Sequence, residues 1–265
     1  MELGSRKDSR CSRESVVRLL VREAPDRELA LHSLLVARVS ERLAAAEGKD
    51  TLVAYLAGLL HDVGKMEARK RGAREEEVSA EMASRILTEA GCAPSLVERV
   101  TSALKGEGGV ADVVLDADTL VKLGPASILE VGVKYGLRGE TLVEAILSGL
   151  SRQLTVIENI DRVLCTDTAR KEAKRLAEET RKLVSSVLED MRRLGLELAV
   201  GRIGVGDRVY VLIKASRCPV CRSALEEECG STGPFCAGVR LKLTCRKCGW
   251  FSYVSSCIPE RHCAR

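Results

Sequence analysis

The sequence predicts a mainly α-helical domain followed by a small β domain. Through the first 200 residues, apolar residues recur at three- and four-residue spacing, which is the period of a helix. From Gly201 onward the pattern changes to short alternating runs with turns at Gly, Ser and Pro, which is typical of strands. This last segment also carries 11 Lys or Arg against 5 Asp or Glu, whereas the rest of the chain is slightly acidic. We therefore expect one domain over residues 1–198 and another over residues 199–265.

The helical pattern divides the first domain into nine segments, several of which end at a glycine such as Gly48, Gly91 or Gly124. These segments are 14–23, 26–47, 51–60, 75–90, 94–104, 113–123, 127–135, 139–163 and 168–194. The segment MEARKRGAR at 66–74 is expected to be a cationic loop. The last helix is rich in Lys, Arg and Glu at i, i+4 spacing, so we expect it to be a solvated outer helix.

Composition limits the class of protein. The chain has 265 residues, of which 45% are hydrophobic and 30% are charged, and its net charge is +4. These values indicate a globular domain and exclude wholesale disorder and collagen-like repeats. No apolar run approaches the roughly 20 residues of a membrane span, and the charged N-terminus lacks the apolar middle of a secretory signal. We therefore expect a cytoplasmic protein with no membrane partner, and reduced thiols unless its source is a thermophile.

Polar residues interrupt the apolar sequence at three places. His32 shares a helical stripe with apolar residues, the pair His61-Asp62 ends the run TLVAYLAGLL, and Asp116 and Asp118 lie within ADVVLDADTLVKLG. Taken singly, a buried His is most often a hydrogen-bonded core residue and a buried Asp a helix cap. Taken together, one divalent cation would offset the cost of burying them all. The mixed nitrogen and oxygen donors suit Mn, Fe, Co, Ni or Zn.

The order of these residues resembles a known family. LHSLLVARV, LLHDVGK and LDADTLVKLG resemble the HD-domain metal-dependent phosphohydrolases, whose signature is a His, a later His-Asp pair and a still later Asp. The resemblance covers roughly residues 14 to 195 and extends to small HD hydrolases that include a bacterial nucleoside triphosphate pyrophosphohydrolase. It implies an HD-type helical fold and places His32, His61, Asp62 and Asp118 at the metal-ligand positions. Asp116 is then either a hydrogen-bond partner of a ligand or a cap.

The resemblance also implies the chemistry. A metal at these positions would activate water for hydrolysis of a phosphoester or phosphoanhydride, most plausibly in a nucleotide. Asp62 would orient the water, and Lys65 is similar to a family lysine that contacts the phosphate. We therefore take Asp62 and Lys65 as the candidate catalytic residues.

The chain departs from the family pattern in its histidines. Family members usually carry further histidines after the His-Asp pair, but this chain contains only His32, His61 and His262. A second metal beside the first is not expected, and a general acid would be a carboxylate, a lysine or water. Glu76, Glu77, Lys105 and Glu107 lie nearby in sequence, without an assignable role. The loss of histidines is also compatible with a bound metal and little catalysis.

Two CxxC pairs mark the second domain. Cys218 and Cys221 precede Cys245 and Cys248 by a 23-residue interval, and each pair is followed by a strand-like run. This pattern resembles a zinc ribbon, in which four thiolates hold one structural Zn. For Cys229, Cys236, Cys257 and Cys263, with His262, a second metal site and disulfides both stay open. Cys11, Cys92 and Cys165 are most simply small buried hydrophobes.

The ribbon also contains cationic and aromatic residues. Arg246, Lys247 and Trp250 are candidates for nucleic-acid binding, because single strands favour cations beside stacking faces. Ribbon aromatics also commonly fill a small core, so protein docking is the competing hypothesis. The sequence thus predicts a metal-dependent phosphohydrolase, with a non-catalytic nucleic-acid-binding or protein-docking scaffold as the alternative.

Overall fold

The computed structural model describes residues 11–23, 27–124, 127, 142–231 and 237–258. Within these ranges it contains ten helices and five strands. The helices are α1 (Arg13–Glu23), α2 (Arg27–Ala46), α3 (Thr51–Leu60), α4 (Lys65–Arg71), α5 (Glu75–Glu89), α6 (Pro94–Leu104), α7 (Ala111–Leu120), α8 (Leu142–Glu158), α9 (Ile160–Val163) and α10 (Asp167–Arg193). The strands are β1 (Leu198–Val205), β2 (Arg208–Ala215), β3 (Glu226–Ser231), β4 (Ala237–Thr244) and β5 (Phe251–Ile258).

The chain forms two compact units. The first contains α1 to α7 with residues 165–169, and the second contains α8, α9, most of α10 and the five strands. The predicted fold class, an HD-type helical domain followed by small sheets, is confirmed. The predicted domain division after residue 198 stays a prediction. No helix in the described ranges is both long enough and apolar enough to cross a bilayer.

One helix that the sequence does not predict is α4. Its sequence KMEARKR is mostly charged, and only Ala68 is buried, so no apolar stripe indicates it. The helix ends at Gly72, whose φ of 63° lies in the left-handed region that favours glycine. The expected cationic loop at 66–74 is therefore largely a short helix. The predicted helix 127–135 lies, apart from Ser127, outside the described residues.

The core of the first unit surrounds α3. This helix is apolar along its whole length because α2, α6 and α7 pack against it. Where α2 crosses α3, a side chain at Gly58 would place its Cβ 2.6 Å from Ser40 Oγ and 3.0 Å from Ala37 Cα. Only glycine therefore permits this close approach between the two helices. Buried core residues around α3 include Val16, Leu20, Leu56, Leu59, Leu60, Ile86 and Leu87.

Asp50 caps the N-terminus of α3. Its carboxylate accepts hydrogen bonds from the backbone N–H groups of Leu52 and Val53, each at 3.0 Å, and from Arg99 Nη1 at 2.7 Å. The Val53 bond is the main cause that lowers the pKa of Asp50, and the Arg99 guanidinium adds to it. The cap therefore stabilises the helix that ends at His61.

The Asp50→Ala variant should lose about 1 kcal/mol of unfolding free energy at pH 7, as expected for a lost cap. Because the folded-state pKa is lowered, the ionised carboxylate stabilises the fold above its unfolded pKa of about 3.9. That contribution is lost as the pH falls through the folded-state pKa, so the variant and the native protein should converge in acid. Urea denaturation of both proteins, at pH 7 and in acid below the folded-state pKa of Asp50, measures the difference in unfolding free energy. The exposed Glu98, changed to Ala, is the control, and an undiminished difference in acid would contradict the prediction.

The second unit has two antiparallel sheets. β1 and β2 form a hairpin in which Leu198 pairs with Ala215, and β4 lies between β3 and β5 in the other sheet. Leu241 of β4 lies opposite Cys229 on one side and Val254 on the other. Helix α8 packs against both β2 and β5.

Polar side chains of α8 and of Asn159, which follows it, bind backbone groups of both sheets. On β2, Ser151 Oγ accepts from Ile213 N at 2.8 Å and Thr155 Oγ1 accepts from Val211 N at 2.7 Å. Asn159 binds both the N–H and the carbonyl of Val209. On β5, Glu144 and Ser148 accept from the N–H groups of Tyr253 and Ser255. These side chains thus satisfy backbone groups along an edge of each sheet that no strand pairs.

The cysteines outside the CxxC pairs differ from the sequence-based expectation. Cys11 and Cys92 form a disulfide although 81 positions separate them, and Cys165 is also disulfide-bonded. Their interpretation as small buried hydrophobes is therefore wrong. The fold brings the Cα atoms of Cys11 and Cys92 to 4.4 Å, because α1 packs against α5, and local sequence carries no signal for that contact.

The remaining cysteines were left open between metal and disulfides. Cys257 is disulfide-bonded, whereas Cys229 is free and exposed. Cys236, His262 and Cys263 lie outside the described residues.

Candidate metal centres

Three elements of the first unit bring four predicted ligands together. His32 comes from α2, His61 and Asp62 from the turn after α3, and Asp118 from α7. His32 Nε2 lies 3.2 Å from Asp118 Oδ1, and His61 Nε2 lies 3.5 Å from Asp62 Oδ1 and 3.6 Å from Asp118 Oδ1. The rings of His32 and His61 are 5.3 Å apart between centroids. Residues up to 86 positions apart thus converge on one point.

The orientation of His61 leaves a lone pair at that point. Its Nδ1 lies 2.9 Å from the carbonyl oxygen of Gly58, so Nδ1–H donates to that carbonyl and Nε2 carries the lone pair. The buried Nε2 atom makes no hydrogen bond. It faces carboxylate oxygens at distances too long for a hydrogen bond. Lone pairs facing one another repel, and a cation among them would convert this repulsion into attraction.

The distances also fit one small ion. Ligand atoms about 2.1 Å from a common metal lie about 3.0 to 3.4 Å from one another in octahedral or tetrahedral geometry. One observed separation, 3.2 Å, lies within this range, and the other two, 3.5 and 3.6 Å, exceed it by 0.2 Å or less. His32, His61 and Asp62 each offer an atom within 4.8 Å of the others. These residues could therefore hold a divalent metal, although the geometry does not identify it.

The ligand side chains are nearly but not fully buried. Between 9% and 13% of each one is exposed. Burial would weaken competition from solvent for a metal held here, and the remaining exposure would give small molecules a route to it.

Lys65 contacts the outer oxygen of Asp62. Its Nζ lies 2.7 Å from Asp62 Oδ2 and 3.3 Å from Glu75 Oε1. Burial alone would lower the pKa of Lys65, but the attraction of Asp62 and Glu75 outweighs it and raises that pKa. Partial burial raises the pKa of Glu75 by more than the Lys65 ammonium lowers it. Lys65 is therefore an ammonium at neutral pH and is engaged by a ligand carboxylate.

A close contact fixes the segment that carries Asp62 and Lys65. Gly64 N–H donates to Ser79 Oγ of α5 at 3.1 Å. A Cβ at Gly64 would lie 2.4 Å from Ser79 N, against backbone that has no room to move. Glycine at this position thus lets the turn lie directly on α5, where Glu75 is the first residue.

Asp116 has a different role from Asp118. It is fully buried on α7 and accepts hydrogen bonds from the N–H groups of Cys165 and Thr166, each at 2.8 Å. The Thr166 hydroxyl donates to it as well, at 2.7 Å. Of the two alternatives left open for Asp116, these bonds favour a cap, here of the segment that precedes α10.

Glu75 is a neighbour of the centre that sequence reasoning did not single out. Glu76, Glu77, Lys105 and Glu107 instead line a separate surface groove of the first unit. Three consecutive glutamates begin α5, and only the helical phase decides which of them faces Lys65. The sequence carries no signal that separates Glu75 from its neighbours.

The four CxxC cysteines form the second cluster. Cys218 Sγ lies 3.4 Å from Cys248 Sγ, and Cys221 Sγ lies 3.5 Å from Cys245 Sγ. All four sulfurs lie within 4.8 Å of one another. Tetrahedral Zn with bonds of about 2.3 Å would separate its sulfurs by about 3.8 Å. The cluster therefore fits a zinc ribbon, which confirms the resemblance predicted from the two CxxC pairs.

The two CxxC turns have the same backbone hydrogen bonds. In the first, Arg222 N donates to Cys218 O and Cys218 N donates to Ser223 O. In the second, Gly249 N donates to Cys245 O and Cys245 N donates to Trp250 O. The residue after each second cysteine has a positive φ, 61° at Arg222 and 76° at Gly249. Such turns present both sulfurs of a pair to the same side.

One of the four thiols is prepared for deprotonation, whereas burial and the neighbouring thiols raise the pKa of Cys248 to about 12. Hydrogen bonds from the hydroxyl and the backbone N–H of Ser223 lower the pKa of Cys221 to about 6. A thiolate is the form that binds metal, so this thiol is ready at neutral pH.

The candidate nucleic-acid residues lie around the second turn. Arg246 and Lys247 are exposed and Trp250 is half-buried. Arg246 Nε lies 2.5 Å from Glu226 Oε1, Lys242 lies 3.9 Å from Glu228, and Lys214 contacts Glu227. Each acidic residue at the start of β3 thus pairs with one of these cations. The charges of Lys214, Lys242 and Arg246 are therefore locally offset, which weakens the attraction of this face for a phosphate backbone.

Comparison with known families agrees with the helical fold. The HD domain model matches residues 29–112, a range that includes His32, His61 and Asp62 but ends before Asp118. This part of the chain is therefore similar to the HD domain. A comparison with curated proteins finds no significant match.

Solved structures with a similar fold include proteins of Bacillus. YpgQ from Bacillus subtilis is 20% identical and covers 67% of this chain and 92% of its own, with a TM-score of 0.53. The same protein in complex with ADP aligns with a TM-score of 0.52, 20% identity, 67% of this chain and 95% of that one. An HD-superfamily hydrolase from Bacillus thuringiensis is 18% identical over 68% of this chain and 97% of its own, with a TM-score of 0.50. The chain therefore has the HD-superfamily hydrolase fold.

Proposed function

We propose that this protein is a metal-dependent phosphohydrolase that cleaves a phosphoester or phosphoanhydride bond of a nucleotide. The observation that carries the proposal is the convergence of the His61 Nε2 lone pair with the carboxylates of Asp62 and Asp118 beside His32. Such a group of donors is stabilised by a cation and binds phosphate only through one. The nucleotide class is supported by the ADP complex of YpgQ, which shares the fold.

The chain's own residues have distinct tasks in this proposal. His32, His61, Asp62 and Asp118 would hold Mn, Fe, Co, Ni or Zn, and the bound ion would lower the pKa of a water toward about 7 and neutralise phosphate charge. The Gly58 carbonyl keeps the ring of His61 in the tautomer with Nε2 free to bind. Lys65 holds the outer oxygen of Asp62 and so keeps that carboxylate facing inward.

The alternative is a non-catalytic scaffold in which the ribbon binds a nucleic acid or a protein. The observation that favours it is the exposure of Phe251, 59% of which is accessible beside Tyr253. The paired charges of β3 disfavour a nucleic acid and leave protein docking as the stronger form of this alternative. The cytoplasmic location stays a prediction.

The His61→Ala variant tests the enzyme. Purified without chelator, it should lose one equivalent of transition metal while keeping the zinc of the ribbon, and its hydrolysis of a nucleotide panel should fall to background. Metal content by mass spectrometry and phosphate release measure the two effects. Glu76→Ala is the control, because Glu76 is exposed and lines a separate groove.

A second variant, Asp62→Ala, should abolish hydrolysis while the helical circular dichroism is kept. The proposal is overturned if metal-replete native protein hydrolyses no phosphate substrate in the panel. If that protein also binds single-stranded nucleic acid, and Trp250→Ala abolishes the binding, the scaffold takes its place.

A further inference from the structure

The two oxygens of Asp62 face different partners. Oδ1 lies 3.5 Å from His61 Nε2, on the side of the candidate centre. Oδ2 lies 2.7 Å from Lys65 Nζ, a distance typical of a strong charge-assisted hydrogen bond. Since 10% of the Asp62 side chain is exposed, water competes weakly for either oxygen. The carboxylate thus has one oxygen on the side of the candidate centre and the other on an ammonium.

The ammonium is itself held in place. Glu75 Oε1 lies 3.3 Å from Lys65 Nζ, and 28% of the Lys65 side chain is exposed. Lys65 begins α4 and Glu75 begins α5, and the bond from Gly64 N–H to Ser79 Oγ joins the two segments. The row Glu75, Lys65, Asp62 is therefore set by the backbone and does not depend on a substrate to order it.

We propose that Lys65, held by Glu75, is a positioning residue that limits Asp62 to one metal-binding oxygen and so selects small transition-metal ions over Ca²⁺. This inference rests on the proposed function, because it assumes that the four ligands bind a metal. A carboxylate with one oxygen engaged elsewhere binds as a monodentate ligand. Mn²⁺ and Zn²⁺ accept such ligands at short distances, whereas Ca²⁺ takes six to eight oxygens at about 2.3 to 2.6 Å and often uses bidentate carboxylates.

The proposal differs from a direct contact between Lys65 and the substrate phosphate. A phosphate-binding lysine would act on the affinity for the nucleotide and leave the choice of metal unchanged. A positioning lysine acts on the metal when no substrate is present. Metal selectivity in the absence of nucleotide therefore separates the two roles.

The experiment compares Mn²⁺ and Ca²⁺ binding in the native full-length chain and in Lys65→Met. Free Mn²⁺ is measured by electron paramagnetic resonance, alone and in competition with Ca²⁺, and only binding that His61→Ala abolishes is counted. Mn²⁺ is used because thiolates select softer ions, so the CxxC cluster contributes little. The measured quantity is the ratio of the Mn²⁺ and Ca²⁺ affinities. The Lys65 ammonium repels every cation, so its loss should raise both affinities, and only their ratio reports selectivity.

In Lys65→Met the preference for Mn²⁺ over Ca²⁺ should fall about 10-fold or more, in the range known for partners of metal ligands. Lys65→Arg should retain most of the preference, because a cation again engages Oδ2. Glu75→Gln should reduce the preference by a smaller factor, since Lys65 stays but is held less firmly. Lys70→Met is the matched control on the same helix, where 74% of the side chain is exposed.

An unchanged ratio in Lys65→Met overturns the positioning role, and a raised KM for nucleotide in that variant would then assign Lys65 to the substrate. Circular dichroism shows whether each variant is folded. If Lys65→Met does not fold, Glu75→Gln still tests the arrangement of Glu75, Lys65 and Asp62. If the native protein shows no Mn²⁺ binding that depends on His61, the proposed function itself is wrong. The two failures are therefore distinguishable.

Discussion

Replacement of Cys245 by serine is expected to release one zinc ion and unfold the ribbon, defined as β3 to β5 with the two CxxC turns. Cys245 is fully buried, and its sulfur lies 3.5 Å from that of Cys221. All residues of β3 are exposed, so the apolar side chains that the sheet buries, such as Leu241, Leu243 and Val254, lie on β4 and β5 alone. A structural zinc site contributes about 10 to 16 kcal/mol of apparent binding free energy, far more than the stability of so small a sheet.

The measurement is zinc content by mass spectrometry together with limited proteolysis of the full chain. New cleavage is expected between residues 218 and 258, while the helical segments stay protected. Cys229→Ser is the matched control, because Cys229 is free and exposed on the same sheet. Treatment of the native protein with a strong chelator should reproduce the Cys245→Ser cleavage pattern. A ribbon that keeps its protection without zinc would contradict a metal-dependent fold.

The sequence predicts the two clusters because their ligands obey local rules. Cys218 and Cys221 are close in sequence, and a CxxC turn places both sulfurs on one side regardless of the rest of the fold. His61 and Asp62 are adjacent and end an apolar helix. His32 and Asp118 are far away in sequence, and their place in the centre depends on the order of the family signature. The structure brings all four together, while their role as ligands stays a proposal.

Other features depend on contacts that leave no local signal. Glu75 is one of three consecutive glutamates, and the phase of α5 alone turns it toward Lys65. The polar residues of α8 at Ser148, Ser151 and Thr155 do recur at helical spacing, but such a stripe is equally typical of a solvated face. Their backbone partners on β2 and β5 are more than 50 positions away.

The net charge of the second domain is also a poor guide to its ligand. The segment after Gly201 has an excess of cations, which favours a nucleic-acid partner when only composition is counted. The antiparallel pairing of β3 with β4 places Glu226, Glu227 and Glu228 beside Thr244, Leu243 and Lys242, within reach of the cations. Local pairing, and not net charge, decides the potential that a ligand meets.

The disulfide between Cys11 and Cys92 should contribute more to stability than any other contact of α1. Crosslinking positions 81 residues apart removes conformational entropy from the unfolded chain that corresponds to about 4 kcal/mol at 25 °C. The bond joins Cys11, two residues before the start of α1, to the loop after α5. Val16 and Leu20 of α1 are fully buried against the core. Loss of the bond therefore makes it easier for these side chains to leave the core.

The Cys92→Ser variant should accordingly lose about 4 kcal/mol of unfolding free energy, measured by urea denaturation without reductant. Cys11→Ser should lose the same amount, and the double variant should lose no more than either one, because all three break a single bond. Cys229→Ser is again the control. Reductant alone is a poorer test, since Cys165 and Cys257 are disulfide-bonded as well. If the single variants keep the native stability, or if their losses add in the double variant, the two cysteines do not stabilise the fold as a crosslink.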